Sequence, residues 1–594
     1  MEHTAPRYQL IVLLVAAAIF LGCAISPPSL MDDVDAVQAQ IARNMLDSGD
    51  WVTARLDGVA YLEKSPLVYW MMAASFRLFG VHDWAARLPI ALGAILLCWV
   101  TARFAAWAFS QRAGLYSGLV LATCVGLFLF TRILIPDVIL TLAITLTMWG
   151  ALRALDDLEP RPRLWAAGAA ASMGIGLLLK GLIAVVFPLG GLIVYLAVSR
   201  QLFHWPTIRR LRPISGALLA LAIAAPWHVA ATLANPPYLD FTFHSGPGEY
   251  RGFFWFYFLN EHVLRFLNMR YPRDYNTVPR ALFWLFHLLW LFPWSFYLPA
   301  AARQGFRPVD RAGRARLLAL CWTGFLLVFF TFSTTQEYYS MPCYPALALL
   351  IGSAMAAEKG WLRPGTKLVG GIAAVATLAI AAILWIVRAT PTPGDIARAL
   401  TQNPDLYTLS LGHMTDLTLS SFAYLRLPLA IAGVALLVGA VSALWLRHRQ
   451  AWLGMTLMMV LFFHAAHVAM MTFDPYLSSR PLAETLRQSP PATIIFGDQY
   501  YTFSSVFFYT NQRGLLLNGR VNNLEYGSYA PGAPRVFIDD GEFARRWRSG
   551  EHYYLLAEGP AVPRLEQLVG RSTLLTVKES GGKFLFANFE VSPR

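Results

Sequence analysis

Apolar runs close to 20 residues long recur along the first four-fifths of the chain, separated by short loops rich in Lys and Arg. A run of that length crosses a bilayer as a helix, because a backbone in hydrocarbon must satisfy its own hydrogen bonds. Composition agrees. Charged residues make up 14% of the 594, against about 25% in a soluble domain, and 56% are hydrophobic. The formal net charge of +13 therefore sits on a chain too apolar for a nucleic-acid-binding protein, a disordered segment or an ordinary soluble enzyme. The five cysteines lie in or beside apolar runs, without a CxxC spacing. Neither a disulfide framework nor a thiolate metal site is implied.

The basic residues set the orientation, since short cytoplasmic loops retain Lys and Arg. If the first run, Tyr8 to Ala24, crosses outward, the loops bearing Arg103/Arg112, Arg153/Arg161/Arg163, Arg200 to Arg212, Arg303 to Arg316, Lys359 to Lys367 and Arg447/Arg449 all fall inside. The expectation is a polytopic α-helical membrane protein of about 13 transmembrane helices, with its C-terminus outside.

Two outward segments, residues 26–84 and 232–279, exceed what a connector needs, and loops of that length are usually functional. The first opens with Asp32-Asp33-Val34-Asp35 and continues with apolar residues at helical spacing to Leu46 before Ser48-Gly49-Asp50. That predicts a short amphipathic helix at the membrane surface, capped by the carboxylates. A second such helix is expected from near Pro66, carrying Tyr69 and Trp70. The membrane domain is expected over residues 1–471 and a soluble α/β domain over 472–594, where 13 Lys and Arg nearly balance 12 Asp and Glu. Its β-rich runs are Ala492–Phe496, Arg535–Ile538, Tyr553–Ala557 and Lys583–Phe589, and helical stretches alternate with them.

The outward side also holds the candidate chemistry. Three carboxylates within four residues repel one another, which raises a pKa or recruits a cation, although a solvated helix cap has the same spacing. Glu63 and Lys64 pair acid with base beside Tyr61; for an isolated motif the default is a surface ion pair. His262 and Arg265, three apart after the aromatic run Phe253 to Phe258, share one helical face and can both meet a phosphate. Arg132, Asp137 and Lys180 stand at the outer ends of apolar spans, where a charge must be paired, used or snorkelled to water.

Taken in order, these stretches resemble the GT-C superfamily of polyprenyl-phosphate-sugar glycosyltransferases, in the branch shared by bacterial aminoarabinose transferases and protein O-mannosyltransferase-like proteins. The residues that carry the resemblance are the acidic start of the first loop, Ile41-Ala42-Arg43-Asn44-Met45-Leu46, Tyr61-Leu62-Glu63-Lys64, Arg132-x4-Asp137, Leu179-Lys180-Gly181, Glu261-His262-x2-Arg265 and Tyr338-Tyr339-x2-Pro342. The resemblance covers about the first 350 residues. The family's acidic residue begins an Asp-Glu pair where this chain has Asp-Asp-Val-Asp, so Asp33 is favoured over Asp32 and Asp35 as the catalytic carboxylate. The stretch Thr334 to Tyr339 lacks the lysine often found there in relatives, which shifts phosphate binding toward Lys64, Arg265, Lys180 and Arg132. Tyr61, Tyr69, Asp137, Tyr338 and Tyr339 are then substrate-binding candidates.

The resemblance implies sugar transfer from an undecaprenyl-type phosphate donor to a lipid, glycan or protein acceptor, by inverting single displacement at the periplasmic face of a bacterial inner membrane. No cofactor is required on this reading, although Glu63 and His262 would be placed to share a divalent metal. No nucleic acid is expected as a partner. The rival class is a transporter or flippase for a lipid-linked sugar. Transporters show internal repeats and polar residues near the midplane, whereas this chain gathers its polar residues in two outward loops.

Orientation is directly testable. A reporter fused after Arg594 is expected to be active only when it is one that works outside the cytoplasm, and cytoplasmic activity would reverse the assigned topology.

Overall fold

The computed structural model describes residues 5–273, 278–333, 335–358, 360–401 and 410–591, so Thr334 of the aromatic motif and part of the second loop lie outside the described residues. Among the described residues nine helices are long and apolar enough to cross a membrane, from Asp83–Ala108 to Arg449–Leu477. Arg280–Trp290 with Trp294–Ala302 makes a tenth if the pair, bent by 92°, is one span. The apolar helices Arg7–Phe20 and Ile183–Val198 are shorter, and the sequence count of about 13 includes both. The last long helix continues to Leu477, past the boundary read at residue 471.

The first outward loop is built, not slack. Helix Asp35–Ser48 ends at Gly49, whose φ of 74° and N–H to the Met45 carbonyl close the last turn. Only glycine adopts such a φ without strain. Two features differ from expectation. No side chain caps the helix N-terminus, and the helix is buried on most of its residues rather than spread on the membrane surface. Arg43 shows why, donating to the Phe508 carbonyl of the C-terminal domain at 2.7 Å. A hairpin follows, β1 (Arg55–Leu56) and β2 (Val59–Ala60), turned by Asp57-Gly58 at φ 50° and 82°. Asp-Gly is the pairing such a turn favours. The helix expected near Pro66 spans Leu67–Phe79.

The C-terminal region is an α/β unit with one six-stranded sheet. Its strands are β3 (Thr493–Gly497), β4 (Leu515–Leu517), β5 (Phe537–Ile538), β6 (Tyr553–Glu558), β7 (Leu575–Ser580) and β8 (Lys583–Ala587), in the order β5-β4-β3-β6-β8-β7. The first four are parallel, while β8 runs antiparallel to β6 and β7 to β8. The four β-rich runs read from sequence each hold a strand. Strands β4 and β7 escape that reading because β4 has three residues and β7 is mostly exposed.

One buried charge pair ties this unit to the first loop. Lys583 Nζ donates to Asp32 Oδ2 at 2.7 Å and to the Thr502 carbonyl at 2.7 Å. Ser479 Oγ and the Ser505 N–H complete the carboxylate's bonds at 2.6 and 2.8 Å. Removing one member of a buried pair strands the other charge, at a cost of about 3–5 kcal/mol. Lys583→Met is therefore expected to lower the stability of the purified full chain by about that amount, read as unfolding midpoint. An unchanged midpoint would mean that Asp32 holds nothing together.

Candidate active site

A cleft of about 120 Å³ opens where the two long loops, residues 26–84 and 232–279, meet the ends of apolar helices. Glu63 and Lys64 reach it from the segment after the hairpin, Asp137 from the first turn of helix Asp137–Ala154, and Lys180 from the last residue of helix Pro162–Lys180. His262 and Arg265 come from a π-helical stretch, Trp255–Leu264, and its next residue. Tyr338 and Tyr339 come from the short 3-10 helix Glu337–Cys343. Gly181 makes the junction possible. Its φ is 75°, and a Cβ there would lie 2.3 Å from His262 Nε2 and 2.7 Å from the Tyr257 hydroxyl.

Each cation in the cleft has a carboxylate. Lys180 Nζ meets Asp137 Oδ1 at 2.6 Å and lies 4.9 and 5.0 Å from the ring centres of Tyr338 and Tyr339. Lys64 pairs with its neighbour Glu63. Arg265 meets Glu261 at 2.7 Å and Glu63 at 3.7 Å, and donates to the Tyr339 hydroxyl at 3.1 Å. Burial acts to raise the Glu63 carboxyl, but Lys64, Arg270 and Arg265 outweigh it and hold Glu63 below the usual carboxylate range. Burial likewise acts to lower the Lys64 ammonium, and Glu63 reverses that, so both stay charged. The remaining wall is aromatic, with Phe187, Phe266, Phe329 and Phe330.

Of the residues singled out in the sequence, Glu63, Lys64, Asp137, Lys180, His262, Arg265, Tyr338 and Tyr339 line this cleft. The others do not. Asp32 is consumed by Lys583. Asp33, at φ 73°, is exposed, and its N–H is held by the Tyr501 carbonyl and Ser504 Oγ. Asp35 is buried, with Oδ1 accepting from the Leu134 N–H at 2.9 Å, and burial pushes its carboxyl up to about 6. Arg132 donates to the Cys23 carbonyl and lies over Phe128, away from the cleft. Tyr61 donates to Glu63 Oε2 at 2.6 Å from behind, and Tyr69 shares with it a small adjoining cavity.

A divalent metal does not fit the pair Glu63 and His262. His262 spends Nδ1 on the Tyr257 carbonyl at 2.6 Å and Nε2 on the Leu182 N–H at 3.1 Å. Both Glu63 oxygens are also occupied, Oε1 by Lys64 and Oε2 by Tyr61 and Asn523. Among the described residues no group of three His, Cys, Asp or Glu is placed to hold an ion. The histidine is a clasp between the second loop and the end of the Lys180 helix. His262 and Arg265 share a helical face as expected and both line the cleft, but both ring nitrogens of His262 are hydrogen-bonded within the protein.

Sequence reasoning missed the second layer. Arg270, with a fully buried side chain, pairs with Glu261 and is bound by Asn523 of the C-terminal domain, which also donates to Glu63 Oε2 at 2.6 Å. Arg270 stands five residues beyond Arg265, past the recognisable motif. Asn523 lies 460 residues from Glu63 in a stretch with no local signature.

Comparison with known proteins fits this geometry. Residues 63–229 match the family described as dolichyl-phosphate-mannose-protein mannosyltransferase. The undecaprenyl phosphate-alpha-4-amino-4-deoxy-L-arabinose arabinosyl transferase of Aeromonas salmonicida is 29% identical over 326 residues, covering 53% of this chain and 54% of that protein. An enzyme of the same name from Proteus mirabilis is 30% identical over 338 residues, 56% of each. The chain thus spans about half the length of the curated relatives it matches. Among solved structures, ArnT from Cupriavidus metallidurans bound to undecaprenyl phosphate superposes with a TM-score of 0.78 over 98% of both chains, at 23% identity. The apo oligosaccharyltransferase of Archaeoglobus fulgidus gives 0.51 at 10% identity, over 99% of this chain and 75% of that one. Sequence over about half of the chain and fold over nearly the whole of it bear out the resemblance to the GT-C superfamily of polyprenyl-phosphate-sugar glycosyltransferases.

Proposed function

We propose that the chain is an integral-membrane glycosyltransferase that moves a monosaccharide from a polyprenyl-phosphate donor to a lipid, glycan or protein acceptor, at the periplasmic face of a bacterial inner membrane. The observation that carries this reading is the convergence of Lys64, Lys180 and Arg265, from three separate elements, on one cleft with a phenylalanine wall. A phosphate with an apolar tail is a ligand that uses both halves. Behind them Arg270 adds a further cation, paired with Glu261. The names of the relatives, which include undecaprenyl phosphate in both the transferases and the solved ArnT complex, support the same donor class.

Chemically, the acceptor oxygen attacks the anomeric carbon while the bond to the phosphate oxygen breaks, and the polyprenyl phosphate leaves with the bonding electrons. Negative charge on that phosphate grows toward the transition state, so fixed cations there speed cleavage beyond what they add to binding. A hydroxyl acceptor must also lose a proton to a nearby carboxylate. Asp33, which the resemblance favours among the three acids of the first loop, is assigned that role although it lies outside the lining of the cation cleft.

With purified protein and a polyprenyl-phosphate sugar, Lys64→Ala and Arg265→Lys are each expected to lower the transfer rate at least ~100-fold. Lysine cannot reproduce the bidentate grip of a guanidinium. Near wild-type rates in both variants would exclude this phosphate site. Transport of a lipid-linked sugar across vesicles by a wild type that never cleaves the donor would favour a transporter.

The acid assignment has its own test. Asp33→Asn is expected to abolish transfer with the unfolding midpoint unchanged, whereas Asp32→Asn is expected to lower the midpoint first. Full activity in Asp33→Asn would move the proton acceptor elsewhere.

A further inference from the structure

A second cavity, of about 310 Å³, lies between helix Asp35–Ser48, the Asp57-Gly58 turn and the C-terminal domain. Its volume is near the lower end of small-molecule sites, and none of its lining residues belongs to the cation cleft. Three buried polar atoms on it have no hydrogen-bond partner among the described residues: Gln40 Oε1, Asp57 Oδ2 and the Tyr500 hydroxyl. Their residues are 5%, 4% and 0% exposed. A buried polar atom left unbonded loses its hydration without replacement, so three around one cavity call for a partner.

The surroundings fix which atoms are left. Gln40 spends its amide nitrogen on Asn44 Oδ1 at 2.8 Å and Asn511 Oδ1 at 3.3 Å, which leaves its carbonyl to accept. Asp57 uses one oxygen on the Gly514 N–H at 3.4 Å, and burial pushes its carboxyl up to about 7. The Tyr500 ring stacks on Phe507 at 4.2 Å, so an aromatic pair forms part of the lining. Two acceptors, one hydroxyl able to donate or accept, and an aromatic face suit a ring that carries several hydroxyls and has apolar C–H faces.

We propose that this cavity is a saccharide-binding site, separate from the donor cleft, which takes one hydroxylated sugar ring through Gln40, Asp57 and Tyr500 against the Tyr500–Phe507 pair. Its place in the reaction, holding a sugar unit of the acceptor, rests on the glycosyltransferase reading. The binding itself does not, and it is measured without turnover.

The test uses the purified full chain in a sugar-free detergent, with saturation-transfer NMR titrations of methyl α-D-glucopyranoside, N-acetyl-D-glucosamine and D-glucosamine. At least one of the three is expected to bind the wild type and to weaken about tenfold in both Asp57→Asn and Tyr500→Phe, the scale of one lost hydrogen bond. Asn tolerates the positive φ of Asp57, and Phe keeps the stacked ring, so both variants should fold; an unchanged unfolding midpoint checks this. Binding should survive Lys64→Ala. Failure of all three sugars to bind, binding that persists in both cavity variants, or binding lost only in Lys64→Ala would each overturn the site. Loss of sugar transfer with binding intact would count against the enzymatic reading alone.

Discussion

Charge taken out of bulk water has to be matched by opposite charge within a few ångströms, and that requirement organises this protein. Glu63, Lys64, Asp137, Lys180, Glu261, Arg265 and Arg270 meet at the ends of apolar helices, with side chains at most about a fifth exposed. An unpaired ion there would cost several kcal/mol. Each group therefore fixes another, and together they hold two loops, three helix ends and a distant domain in one arrangement.

The same requirement explains why the two long loops are structured. A flexible loop could not hold Lys64 against Glu63 and bring Arg265 within 3.7 Å of the same carboxylate. The hairpin, the glycine-ended helix and the π-helical turn are the devices that place those side chains. Gly181 and His262 are one such device, where a missing Cβ lets an imidazole bridge two elements.

The membrane helices and their polarity pattern were legible because hydrocarbon enforces long apolar runs. The cleft was legible in part. Lys64, Lys180, Arg265 and the paired tyrosines sit in dense local motifs or at helix ends where a charge demands explanation. Asp32 misled for an instructive reason: a carboxylate in an acidic cluster has the same sequence appearance whether it meets substrate or a lysine 551 residues away. Arg270 and Asn523 were invisible because their meaning lies wholly in tertiary contact. The histidine beside Glu261 looked like a ligand, and only the geometry reveals that both its nitrogens are spoken for.

Asn523 has a bearing on how the molecule is made. The membrane helices, both loops and every cleft cation precede it in the chain, so all of them leave the ribosome first. Yet Glu63 and Arg270 lack their bonds to Asn523 until residue 523 has been made and folded, and Asp32 waits still longer for Lys583. Completion of the cleft is thereby deferred to the end of biosynthesis. A chain interrupted before residue 523 keeps every cleft cation and still lacks the amide that joins Glu63 to Arg270.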